Sequence, residues 1–135
     1  MEEFTAEDYE SIDRASRELH ARGWHKAFTV NEMFAAWASL VSEVELGYDQ
    51  MAYEYTNDMA CRDWLALVWP MLTDRVRGAR AGELEALDAR FRAATVDDGG
   101  LAIGRFYRIE NKDGWWWHRR PINVKGEFAA DLAAD

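Results

Sequence analysis

Glu110-Asn-Lys-Asp-Gly-Trp-Trp-Trp-His-Arg-Arg-Pro121 is the stretch on which the fold turns. An Asp-Gly turn signal stands directly before three consecutive tryptophans, and the preceding run Ile103-Gly-Arg-Phe-Tyr-Arg-Ile109 is rich in aromatic and β-branched residues, as a partner strand requires. The pattern predicts an antiparallel β-hairpin over about residues 102–120. Side chains alternate across a strand, so Trp115 and Trp117 would share one face, with Trp116 and His118 on the other, and both faces would need cover. A large aromatic ring left in water forfeits about 1.5–3 kcal/mol, so at least two of the three tryptophans are expected to be more than half buried.

Upstream of the hairpin the chain reads as helices. Thr5 and Asp8 have capping-box spacing, Ala6, Tyr9, Ile12, Ala15 and Leu19 recur at helical intervals, and Gly23 stands at the C′ position, which predicts a helix over about 5–22. Thr29 with Glu32, the stripe Met33, Phe34, Trp37, Leu40, Val41 and Val44, and a closing Gly47 predict a second over about 30–46. Asp49 opens a short helical turn, and Asn57 is placed to cap a third helix over about 57–77, broken near Pro70. The run Gly78-Ala-Arg-Ala-Gly82 reads as a loop before a last helix over 82–94. The tail 126–135 reads as a partly frayed helical turn. One domain of α+β class follows: a mostly helical irregular bundle of four or five helices with a C-terminal antiparallel β-hairpin.

At 135 residues the chain can build one core but not two. Its N-terminus is acidic, lacking the basic and apolar regions of a signal peptide, and no run of about 18 apolar residues occurs; with a single cysteine, Cys61, this predicts a cytoplasmic location and no membrane partner. The net charge of −9 is uneven: residues 1–64 carry 14 acidic and 5 basic side chains, whereas residues 105–125 carry 2 and 6. An acidic body repels the phosphate backbone that dominates nucleic-acid affinity, so no nucleic-acid partner is expected despite the basic aromatic segment. The same asymmetry favours docking of opposite charges within the chain or between two copies, and a homodimer is the default if it lies between copies.

Catalytic patterns are missing from the sequence. The three histidines stand in no Glu-x-x-His relation, and there is no Cys-x-x-Cys, His-Glu-x-x-His, phosphate-binding glycine loop or Gly-x-Ser-x-Gly elbow, so neither a metal nor a cofactor is expected and no catalytic residue is assigned. The densest polar and aromatic segment is Tyr48 to Trp64. Tyr48, Asp49, Tyr55, Asp58 and Arg62, together with Trp115, Trp117 and Arg119, are the candidate binding residues. As a site they would form a carboxylate- and tyrosine-lined pocket for a cation; as structure, Asp58 and Arg62 would form an exposed i,i+4 pair worth about 0.3–0.5 kcal/mol, with the tyrosines packed between helices.

Glu45-Leu-Gly47-Tyr48, Tyr55-Thr-Asn-Asp58, Arg62-Asp63, Leu87-Asp88-Ala-Arg90-Phe91 and Trp115-Trp-Trp117 with Arg120-Pro121 resemble small acidic proteins of high-GC bacteria with no assigned role, over roughly residues 37–121. The resemblance implies no activity and carries no functional residue. The expectation is a non-enzymatic binding protein: a small regulatory, adaptor or toxin-neutralising protein that acts on another protein through its acidic helices or aromatic hairpin. The alternative is a small-molecule binding protein or enzyme with a pocket between residues 48–63 and the tryptophans.

Overall fold

The computed structural model describes residues 3–133. Its helices are α1 (Ala6–Ala21), α2 (Val30–Leu46), α3 (Ala52–Val68), α4 (Asp74–Ala93) and α5 (Gly126–Ala133), and two short strands, β1 (Thr95–Asp97) and β2 (Arg119–Pro121), pair antiparallel with Val96 opposite Arg120. The fold is thus α+β, a helical bundle with a two-stranded hairpin near the C-terminus. Helix α2 packs against both α3 and α4, and buried side chains led by Trp37, Trp64, Phe34 and Phe91 form the centre of the core.

The local start and stop signals of the first two helices operate as read. Thr5 and Asp8 close a reciprocal capping box, and Thr29 accepts the backbone N–H of Glu32 at 3.0 Å. Asp8 also reaches beyond its own helix. It accepts the Thr73 hydroxyl at 2.7 Å and pairs with Arg75 at 3.2 Å, so one carboxylate joins the starts of α1 and α4.

Three expectations are corrected. Asn57 does not cap a helix: α3 runs unbroken from Ala52, and the acceptor at its start is Asp131 of α5, whose Oδ2 lies 2.9 Å from the Ala52 N–H. Residues 78–82 are no loop but the middle of α4, which restarts after the Trp69–Met71 3₁₀ turn and continues past both glycines to Ala93. The strands flank the tryptophans rather than contain them. Ile103–Arg105 and Trp115–His118 are 3₁₀ turns within the long loop between β1 and β2, and Gly114 has the ordinary φ of −67°. A strand would send Trp116 and Trp117 to opposite faces, whereas the turn lets both reach one acceptor. Both are buried, and each indole N–H donates to Asp63 Oδ1, at 2.9 and 2.7 Å. The Trp116 ring folds back over Gly114, where a Cβ would come within 2.3 Å of it; only glycine fits.

The two glycines inside α4 have no comparable role, since a Cβ at either Gly78 or Gly82 would meet nothing within 4 Å. Glycine in a helix interior costs roughly 0.5–1 kcal/mol relative to alanine. Gly78→Ala and Gly82→Ala are therefore each expected to stabilise the protein by about that amount, read as a higher midpoint in urea unfolding with an unchanged m-value.

Candidate functional site

The sequence places its candidate residues in one pocket; the structure distributes them. Tyr55 is fully buried, stacked on Phe128 with ring centroids 4.9 Å apart, and its hydroxyl has no partner among the described residues. Arg62 turns away from Asp58 and forms a buried bidentate pair with Asp88 of α4 at 3.0 and 2.9 Å, its guanidinium 4.2 Å from the centroid of the Trp116 ring. Trp117 is held by Asp63, and Arg119 is spent on the hairpin, where it donates to the Thr95 hydroxyl and to the carbonyls of Thr95 and Arg92. Trp115 is partly exposed and, with Arg62, lines a second concave surface beside α3. Asp49 is exposed at the start of the α2–α3 connection's second half, and its carbonyl receives the N–H of Glu127. Asp58 alone of this set lines the larger cleft, with Tyr48 behind it: the Tyr48 hydroxyl donates to Asp58 Oδ2 at 2.7 Å.

That cleft measures about 830 Å³ and lies between α2, α3 and the loop 22–28, while the second concave surface, of about 700 Å³, lies where Arg62 and Leu65 of α3 face Trp115 and Trp116. Its shape follows from sequence in two steps. Small side chains on the facing helices, Ala36 and Ser39 of α2 and Ala60 of α3, leave a trough that larger residues would fill. The loop is then tied across one end: Ser16 of α1 donates to the Phe28 carbonyl, and His20 Nδ1 stands 2.8 Å from the carbonyl oxygen of Trp24, so that nitrogen carries the proton. Trp24, His25 and Phe28 consequently form an aromatic wall, with Trp24 and His25 each edge-on to Phe28.

Glu43 and Asp58 contribute carboxylates to the same cleft, with Asn57 and Gln50 beside them. Neither carboxylate has an ion-pair partner among the described residues; Glu43 receives only a long 3.5 Å contact from Gln50. The lining arginine is otherwise engaged, since Arg22 pairs with Glu18 at 3.0 Å. Partial burial, reinforced by the negative charges of Asp58 and Asp49, raises the Glu43 carboxyl above its ordinary value. Tyr48 is likewise pushed up, by burial first and by its bond to Asp58. Cys61 also lines the cleft, but burial raises its thiol to about 12, so it presents a neutral, unreactive sulfur. Among the described residues no three His, Cys, Asp or Glu side chains gather as metal ligands, and no helix is long and apolar enough to cross a membrane.

Glu43, Trp24 and Phe28 escaped the reading of the sequence because nothing local marks them. The one available signal is that Ala36, Leu40 and Glu43 share a ridge of α2, so an acid extends an otherwise small and apolar line. Comparison with known protein families, curated proteins and solved structures gives no match.

Burial of Glu43, reinforced by neighbouring like charge, has a measurable consequence. Because the folded-state value of Glu43 is raised, ionising it opposes folding: its favourable contribution is complete below the unfolded value and is lost as pH rises through the folded one. Glu43→Gln should therefore raise the thermal midpoint at about pH 7, and the gain should shrink as pH falls and the native carboxyl takes up its proton.

Proposed function

We propose that this is a non-enzymatic binding protein whose cleft receives a cationic group presented by a basic partner protein. The observation that carries the reading is the pairing of two uncompensated carboxylates, Glu43 and Asp58, with the aromatic wall of Trp24 and Phe28 in one cleft. A guanidinium or ammonium would relieve the mutual repulsion of the acids, while the stem of its side chain or an adjacent apolar residue would lie on the rings. The net charge of −9 supports the same class of partner, because an acidic surface accelerates encounter with a basic one. A free organic cation is the second reading. It is favoured by the size of the cleft, about 830 Å³, which falls within the roughly 300–1,000 Å³ typical of small-molecule sites.

Calorimetric titration with the peptide acetyl-Gly-Phe-Arg-Gly-amide and its citrulline counterpart, isosteric but uncharged, tests the proposal. A hydrogen bond to a charged group contributes about 1.5–3 kcal/mol, so the arginine peptide should bind at least about tenfold more tightly, and Asp58→Asn should remove most of the difference. Its affinity should fall as Glu43 protonates in acid. Equal affinity for the two peptides, or no binding by either, rejects the cation reading. Phenethylammonium binding as tightly as the peptide selects the free organic cation instead.

A further inference from the structure

A second concave surface, of about 700 Å³, lies where α3 passes through the Trp69–Met71 turn into α4. Leu65, Trp69, Pro70, Leu84, Trp115 and Trp116 form its apolar lining. Pro70 is exposed and Trp69, Leu84 and Trp115 are partly so, although other tryptophans of the chain, at 37, 64, 116 and 117, are buried. The groove is held open from beneath. Arg62, locked onto Asp88, fills the floor under the Trp116 ring, and Arg77 donates to the carbonyls of Trp69 and Leu72, fixing the turn that carries Trp69 and Pro70.

Three features of this groove ask for an anion beside an apolar group. Trp37, Trp116 and Trp117 each donate their indole N–H to a carboxylate, and the buried Trp64 N–H has no acceptor; at the solvent-accessible groove those of Trp69 and Trp115 likewise have none among the described residues. Beside the groove rather than in its lining, Arg92 lies over the Trp115 ring, 3.9 Å from its centroid, and makes no ion pair among the described residues. Finally, residues 105–125, which supply Trp115 and Trp116, hold 6 basic and 2 acidic side chains on a molecule of net charge −9. The segment that supplies two of the groove's rings is thus basic on an acidic molecule.

We infer that this groove docks an acidic amphipathic segment of a partner protein, with its bulky apolar side chains between Trp69, Leu84 and Trp115 and its carboxylates on Arg92 and the free indole N–H groups. The contact follows the helix-in-groove mode, in which apolar anchors give area and flanking charges give choice. It stands independently of the acidic cleft and recruits the opposite kind of partner.

The test uses a fluorescein-labelled 14-residue peptide with Leu and Phe at i, i+3, i+4 and i+7 and Glu elsewhere, and a second peptide in which every Glu is Gln. Fluorescence anisotropy with the whole chain should show the acidic peptide binding at least fivefold more tightly at about 50 mM salt, with the advantage shrinking as salt is raised to about 0.5 M. Arg92→Gln should reduce it to within about twofold, and Ala66→Glu, at an exposed position in the groove, should abolish binding by both peptides. Circular dichroism and thermal midpoints confirm that both variants fold; should Ala66→Glu not, cross-peaks of the Trp69 and Trp115 indole N–H groups in the native protein serve in its place and should move on titration. Equal binding of the two peptides, indifference to Arg92→Gln, or absence of any binding overturns the inference. So does a single-stranded oligonucleotide bound as tightly as the acidic peptide, which would make the groove a base-stacking surface instead.

Discussion

Two consecutive residues of opposite charge at the centre of α3, Arg62 and Asp63, fix α4, α2 and the tryptophan loop against that helix. Arg62 reaches α4 through its bidentate pair with Asp88, which also accepts the indole N–H of Trp37 from α2 at 3.0 Å. Asp63 gathers the long hairpin loop by accepting from Trp116 and Trp117, with the Lys112 ammonium 3.3 Å from its second oxygen. The two side chains meet at Trp116, whose ring faces the Arg62 guanidinium while its N–H faces Asp63. A buried ion pair adds little net stability, because desolvation offsets most of the attraction, but loss of either partner strands a charge in the interior. What the pair settles is geometry: it determines which face of α4 and which tryptophans lie against α3.

One of the two concave surfaces follows from that arrangement, and the other lies on a different face of the same helix. The groove exists because Arg62 and Trp116 build its floor while the Pro70 turn lifts Trp69 to one side. The cleft exists on the face of α3 that carries Asn57, Asp58 and Cys61, where α2 approaches through small side chains and the loop 22–28 is drawn over by Ser16 and His20. Helix α3 thus borders a cleft holding two carboxylates without ion-pair partners among the described residues and, on another side, an apolar groove with Arg92 beside it over the Trp115 ring.

How much of this was legible in the sequence depended on distance along the chain. The caps of α1 and α2 were readable because Thr5, Asp8, Thr29 and Gly47 act on backbone within four residues. Asn57 carried a local cap signal that lost to Asp131, 74 residues further on, whose carboxylate starts the helix five residues earlier. Gly78 and Gly82 read as a loop, yet Val76, Leu87 and Phe91 bury one continuous face, and that burial exceeds the helix cost of two glycines. The Asp113-Gly114 turn signal gave way to the demand that two adjacent tryptophans share Asp63, which no alternating strand can meet. The candidate site was legible only at Asp58 and its Tyr48 partner; Glu43, Trp24 and Phe28 join it through a loop whose path is set by side chains of α1.

The most direct test of this account is the hydrogen-exchange rate of the seven indole N–H protons, followed by nuclear magnetic resonance on the native protein. If Asp63 and Asp88 hold the fold together as described, the protons of Trp37, Trp116 and Trp117 exchange only through large-scale unfolding, while those of Trp69 and Trp115 exchange orders of magnitude faster. Exchange of Trp116 and Trp117 at the rate of Trp69 and Trp115 would mean that the tryptophan segment is not tied to α3, and would contradict it.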